Sequence, residues 1–162
     1  MNTDVDPLIE ESINLELNIG DIYLLFCQLF PDDGEIWGRL TLEEKDHASI
    51  LQVGAEHFKL EGIFPSKLFH TNLQNLKDIN IELLSLIKKF KKTPPSREEA
   101  FNTAFKLEIS AGELEFQKFM DEEASSKTYI IFKKLNKYNK EHATLIRSYM
   151  NKHGISLNSD GD

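Results

Sequence analysis

The chain of 162 residues contains five prolines, Pro7, Pro31, Pro65, Pro94 and Pro95, and their positions constrain the fold more than any other feature. Proline removes a backbone donor and clashes with the preceding turn, so it ends or kinks a helix. Long stretches between the prolines are therefore free to be helical. In each of them apolar residues recur at steps of three and four. No stretch shows the period-two alternation of a strand with turn residues at both ends. The expected fold class is all-α.

The spacing predicts a first helix from about Asp6 to Phe30, with Ile9, Ile13, Glu16, Gly20, Tyr23, Cys27 and Phe30 on its inward stripe. "PDDG" then turns the chain. A second helix follows from about Glu35 to Leu60, its stripe formed by Trp37, Leu40, Glu44, His47, Leu51, Gly54 and Phe58. A third opens after Ser96, whose Ser-x-x-Glu relation to Glu99 is a capping box, and runs to about Glu122 through Phe101, Ala104, Glu108, Ala111, Glu115 and Phe119. The fourth runs from near Ser126 to Gly154, with Ile131, Leu135, Tyr138 or Asn139, His142, Leu145 or Ile146, and Tyr149 inward. Lys152 and His153 suit its last turn, where positive charge meets the negative end of the helix dipole.

Short turns make each pair an antiparallel hairpin. Residues 61–95 form a long crossover with an amphipathic helix of its own around Ile79, Leu83, Leu84, Leu86, Ile87 and Phe90. The expected architecture is a single domain, 1–162: a four-helix bundle with an extra crossover helix and a flexible tail at 155–162. Lys88, Lys89, Lys91 and Lys92 read as the basic end of that extra helix rather than as a membrane or nucleic-acid patch.

The balance of 27 acidic against 19 basic residues, a formal charge of −8, argues against nucleic acid as a partner. A single cysteine, Cys27, permits neither an internal disulfide framework nor a Cys-x-x-Cys metal site, which fits a reducing compartment. "MNTDVDPLIEE" lacks the basic-then-apolar order of a signal peptide, and no apolar run approaches the roughly 18 residues that span a membrane. A soluble cytoplasmic protein without membrane contact is expected.

The stripes carry an anomaly. Glu16, Glu44, His47, Glu108 and His142 all fall on faces that should be buried. Unpaired buried carboxylates cost several kcal/mol each, roughly, or take up protons, whereas a divalent cation offsets that cost by coordination. Glu44 and His47, three apart, lie on one helical face and can ligate one ion together. Glu16 precedes His47 by 31 positions and Glu108 precedes His142 by 34, so both hairpins can present their groups at similar heights. That repetition suits a site for two metals.

With Glu16 in "NLELNIGDIY", Glu44 and His47 in "EKDH", Glu108 in "AFKLEISA" and His142 in "YNKEHATL", the whole chain resembles the ferritin-like di-iron carboxylate family, rubrerythrin-like and bacterioferritin-like proteins in particular. The resemblance implies two irons that react with dioxygen or hydrogen peroxide, with zinc or another divalent metal as the alternative occupant. It implies Glu44 as the bridge, Glu16 and Glu108 as terminal ligands, and one histidine for each metal. Tyr23, seven residues after Glu16, matches a tyrosine that hydrogen-bonds a ligand in that family. Such proteins commonly pair as homodimers.

The pattern departs from the family at Asn139, where the second Glu-x-x-His expects a bridging acid. Glu115, seven residues after Glu108, or Glu141, beside His142, are the candidates to replace it. There is no cysteine-rich iron–sulfur tail, so electrons must come from an external donor. Three other readings compete. Thr41-x-x-Glu44 is itself a capping-box signature; the bundle is a structural or interaction module with a degenerate site; or one zinc is held by a histidine and two or three acids.

Overall fold

A computed structural model describes residues 5–61, 73–110 and 142–158. Every element among them is helical: α1 (Val5–Leu29), a short 3-10 turn (Pro31–Asp33), α2 (Gly34–Glu61), α3 (Leu73–Lys92), α4 (Arg97–Ser110) and α5 (142–152). None of these helices is long and apolar enough to cross a membrane.

The prolines act as punctuation. Pro7 sits in the first turn of α1, where its missing N–H is harmless. Before Pro31 the chain leaves the helical region, with Phe30 at φ −127° and ψ 73°, and the 3-10 turn feeds directly into α2. α3 ends on Lys89, Lys91 and Lys92 ahead of the double proline. At the start of α4, Ser96 Oγ accepts the Glu99 backbone N–H at 3.0 Å, which is the capping half of the expected box.

Gly154, at φ +63°, closes α5. The Ile155 N–H bonds the Met150 carbonyl at 2.9 Å and the Gly154 N–H bonds that of Asn151 at 3.5 Å, a Schellman cap with both Met150 and Ile155 buried beneath it. Residues 155–158, expected to begin a flexible tail, are instead fastened to α4. Asn102 Nδ2 donates to the Ser156 carbonyl at 2.8 Å and the Asn158 N–H donates to Asn102 Oδ1 at 2.7 Å. The buried Ile155 side chain gives the segment a reason to stay.

Residue pairing sets the helix directions. Glu16 meets His47 and Tyr23 meets Trp37, so α1 and α2 are antiparallel. Asn80 lies beside Glu11 and Asn18 while Phe90 meets Phe26, so α3 runs back parallel to α1. Phe101 packs on Trp37, and His142 lies between Glu44 and Glu108, so α4 follows the direction of α2. Tyr149 packs on Phe101, which turns α5 back against α4.

Because α3 lies along α1, the first helix is buried over far more of its surface than one stripe. Leu15, Ile19, Ile22, Leu25 and Phe26 join Ile9 and Tyr23 in the interior. The helices are tied by polar clasps as well as by burial. Asn80 Nδ2 donates to the Glu11 carbonyl and carboxylate, and Asn18 Nδ2 donates to Asn80 Oδ1. At the turn, buried Asp33 accepts two bonds from Arg97, at 2.8 and 2.7 Å, and one from the Tyr149 hydroxyl at 2.8 Å. One carboxylate thus holds the turn, the start of α4 and the end of α5. Arg97 and Tyr149 keep its pKa below the usual carboxylate value, against the opposing effect of burial.

Candidate metal centre

α2 delivers Glu44 and His47 to the interior one turn apart, below the fully buried Trp37 and Leu40. Its helix begins at Gly34, and Thr41 sits about two turns inside it with its hydroxyl bonded to the Trp37 carbonyl at 2.8 Å. The capping-box alternative for Glu44 is therefore excluded. α1 approaches closely here because Gly20 has no side chain; a Cβ on it would lie 3.3 Å from Glu44 Cβ and 3.6 Å from the Thr41 carbonyl oxygen. Glu16 enters from α1, Glu108 from α4 and His142 from the first residue described in α5.

The five side chains converge in a chain of contacts. Glu16 Oε2 lies 3.5 Å from His47 Nδ1, and that nitrogen lies 3.3 Å from Glu44 Oε2. The other oxygen of Glu44, Oε1, lies 3.0 Å from His142 Nδ1, which is 3.5 Å from Glu108 Oε2. The imidazoles stack at 5.3 Å between centroids. Glu44 therefore divides its two oxygens between two histidines, and the same Nδ1 of each histidine has a second carboxylate beside it.

Two further side chains fix the ligand-type groups in place. The Tyr23 hydroxyl donates to Glu108 Oε1 from a fully buried position. His142 Nε2 lies 2.8 Å from Glu43 Oε2, and Arg39 Nε donates to Glu43 Oε1 at 2.8 Å. With Nε2 committed to Glu43, Nδ1 is the nitrogen His142 turns to the cluster. This atom is fully buried and, although close to two carboxylates, is out of line for a hydrogen bond to either. A buried nitrogen with no hydrogen bond among the described residues, beside two acids, is what a cation would satisfy. Glu44, His47 and His142 place one ligand atom each within 4.8 Å of one another.

Without a cation, protons balance the charge. Burial pushes the Glu16 carboxyl up to about 8, outweighing the pull of His47, and burial also raises Glu108. Burial alone would lower both histidines. The carboxylates of Glu16 and Glu44 nevertheless lift His47 to about 9, and those of Glu108 and Glu44 lift His142 to about 11. Glu44 moves the other way: burial opposes its charge, but the two flanking imidazoles hold it well below the usual range. A divalent ion entering this cluster would displace those protons.

Glu16, Tyr23, Glu44, His47, Glu108 and His142 are thus brought together. Glu115, Asn139 and Glu141 lie outside the described residues. Glu43 is the residue that stripe reasoning misses. It stands a quarter-turn off the inward face in the charged run "LEEKDH", and its only sequence signal is adjacency to Glu44.

No family model, no curated protein and no solved structure matches this chain.

Proposed function

We propose that the chain is a ferritin-like four-helix bundle, with α3 as the extra crossover helix, and that its cluster holds two divalent ions, iron first among the candidates. The helix directions support the bundle: α1 and α2 antiparallel, α3 returning along α1, then α4 and α5 antiparallel. The observation that carries the two-ion reading is the division of the Glu44 carboxylate between His47 and His142. In this reading Glu16, Glu44 and His47 would hold one ion, and Glu44, Glu108 and His142 would hold the other.

When bound, a pair of irons supplies one-electron redox chemistry toward hydrogen peroxide or dioxygen, with electrons replenished by an outside donor. The protein's share is positional. Tyr23 orients Glu108, Glu43 holds the His142 ring with Nδ1 inward, and the aromatic side chains above the cluster keep bulk water out. Glu16, the least buried of the three inward carboxylates, releases its proton as a cation arrives and takes it back as the cation leaves.

The deciding experiment is elemental analysis after anaerobic loading with ferrous iron and desalting. Close to two irons per chain, falling in Glu44→Gln, supports the reading. No metal would leave a helical bundle whose polar interior is balanced by its own protons.

A single-ion site is the second reading, favoured by how tightly Glu44, His47 and His142 cluster. One ion per chain, zinc in preference to iron and insensitive to Glu16→Gln, would select it.

A further inference from the structure

An aromatic path joins the cluster to the far end of the bundle. Tyr23, bonded to Glu108, stacks on Trp37 at 5.9 Å between centroids. Trp37 contacts Phe101 at 4.4 Å, Phe101 stacks on Tyr149 at 5.3 Å, and Tyr149 stacks at 4.1 Å on His153, which is exposed. An ordinary core would fill this space with any side chains of suitable volume. Three of these residues instead belong to the readily oxidised types, and their polar atoms are disposed unequally.

Both tyrosines donate to carboxylates, Tyr23 to Glu108 and Tyr149 to Asp33. An oxidised phenol is a far stronger acid than any carboxylic acid, so each has an acceptor for its proton. Between them the Trp37 indole N–H is buried with no hydrogen-bond partner among the described residues. An oxidised indole there has no such acceptor among the described residues, which favours taking an electron from a neighbour over losing the proton.

We infer that Tyr23, Trp37 and Tyr149 form a conduit that carries one-electron oxidation from the cluster to the bundle end, where a soluble reductant can quench it. The role of the conduit rests on the oxidant-consuming reading above; its electron-transfer capacity does not. Reduction of hydrogen peroxide at the cluster leaves two oxidising equivalents there, and each in turn withdraws one electron from Tyr23, whose proton moves to Glu108. Trp37 returns an electron to Tyr23, which recovers its proton, leaving an indole radical cation. Tyr149 reduces Trp37 and passes its proton to Asp33. A one-electron reductant of the ascorbate class then restores Tyr149, and the proton returns. Two passes supply the two electrons that, with two protons from solvent, convert one hydrogen peroxide to two waters. Phe101 contributes contact between the rings and is not itself oxidised.

Trp37 is the only tryptophan in the chain, which makes the conduit testable without metal. Metal-free protein is photoionised at Trp37 by a laser pulse, with nitrate scavenging the ejected electron. The visible absorption of the indole radical is followed alongside the near-ultraviolet band of a phenoxyl radical. The expected result is decay of the first into the second, slowed in Tyr149→Phe and in Asp33→Asn. The phenoxyl rise is lost in the Tyr23→Phe/Tyr149→Phe double variant. An unchanged rise in the double variant, or no phenoxyl in the unaltered protein, overturns the conduit whatever metal the protein binds. If the optical result holds and iron does not load, the metal reading fails and the electron path stands.

Discussion

His142 reaches Glu43 across 99 positions of sequence, with Nε2 and Oε2 at 2.8 Å, so the side chain beside Glu44 steers the ring of the second histidine. Glu43 is part-exposed and is itself held by Arg39. Removing it should leave the fold intact while freeing the imidazole to rotate. Glu43→Ala is expected to lower metal affinity by about 10- to 100-fold, the usual loss for an outer partner of a ligating histidine. Competition against a chromophoric chelator measures this; unchanged affinity would mean that His142 is held by packing alone.

The metal-free protein should become less stable as the solution turns alkaline. His47 is lifted from 6.5 to about 9 and Glu16 from 4.5 to about 8, so the folded state binds more protons than the unfolded state between those values. Stability linked to each group is complete below its unfolded pKa and is lost as pH rises through its folded pKa. Urea unfolding of metal-free protein should therefore show a falling midpoint from pH 6.5 to 9. Divalent metal should flatten that fall, since it replaces the protons. A midpoint that rises over this range would contradict the proton-balanced cluster.

Asp33 is 2% exposed and accepts from two residues distant in sequence. Asp33→Asn removes the charge and cannot satisfy both donors, for a loss of about 2 kcal/mol, discounted because Arg97 is partly solvated. Its folded pKa is depressed, so this contribution is present above the unfolded value of 3.8 and fades as pH falls below it. Denaturation at neutral pH and again near pH 3 should show the gap between variant and parent narrowing in acid.

Gly20→Ala tests the close approach of α1 and α2. Alanine is better than glycine in a helix by up to about 1 kcal/mol, but here its methyl would lie 3.3 Å from Glu44 Cβ in a packed interior. Overpacking should win, with a net loss of about 1 kcal/mol and weaker metal binding as Glu44 is displaced. A more stable variant with unaltered metal content would show that α2 can yield.

What the sequence reveals about this chain follows from periodicity. Proline positions and three-and-four spacing locate α1, α2 and the start of α4 to within a residue and place a helix in the crossover without fixing its ends, and they bring Glu16, Glu44, His47, Glu108 and His142 onto inward faces. Contacts that depend on three dimensions alone are hidden. Glu43 sits off the stripe and acquires its partner only when α5 arrives. Asp33 looks like a solvated turn residue until Arg97 and Tyr149 close over it. The extent of α1 burial depends on where α3 docks, which the Asn18–Asn80 pairing decides and no local pattern announces. Asn102 holds residues 155–158 through backbone atoms, which carry no residue-specific signal.

The depth of the cluster also acts as a filter on size. Glu44, His47, Glu108 and His142 are each no more than 4% exposed, while Glu16 and Glu43 retain 17% and 27% of their side-chain surface. Bulk solvent meets the rim and not the interior. On size alone, dioxygen or hydrogen peroxide needs far less side-chain movement to pass that rim than a folded partner or a bulky organic substrate does. Any exchange with a larger molecule must then be conducted at a distance, with the protein wall in between.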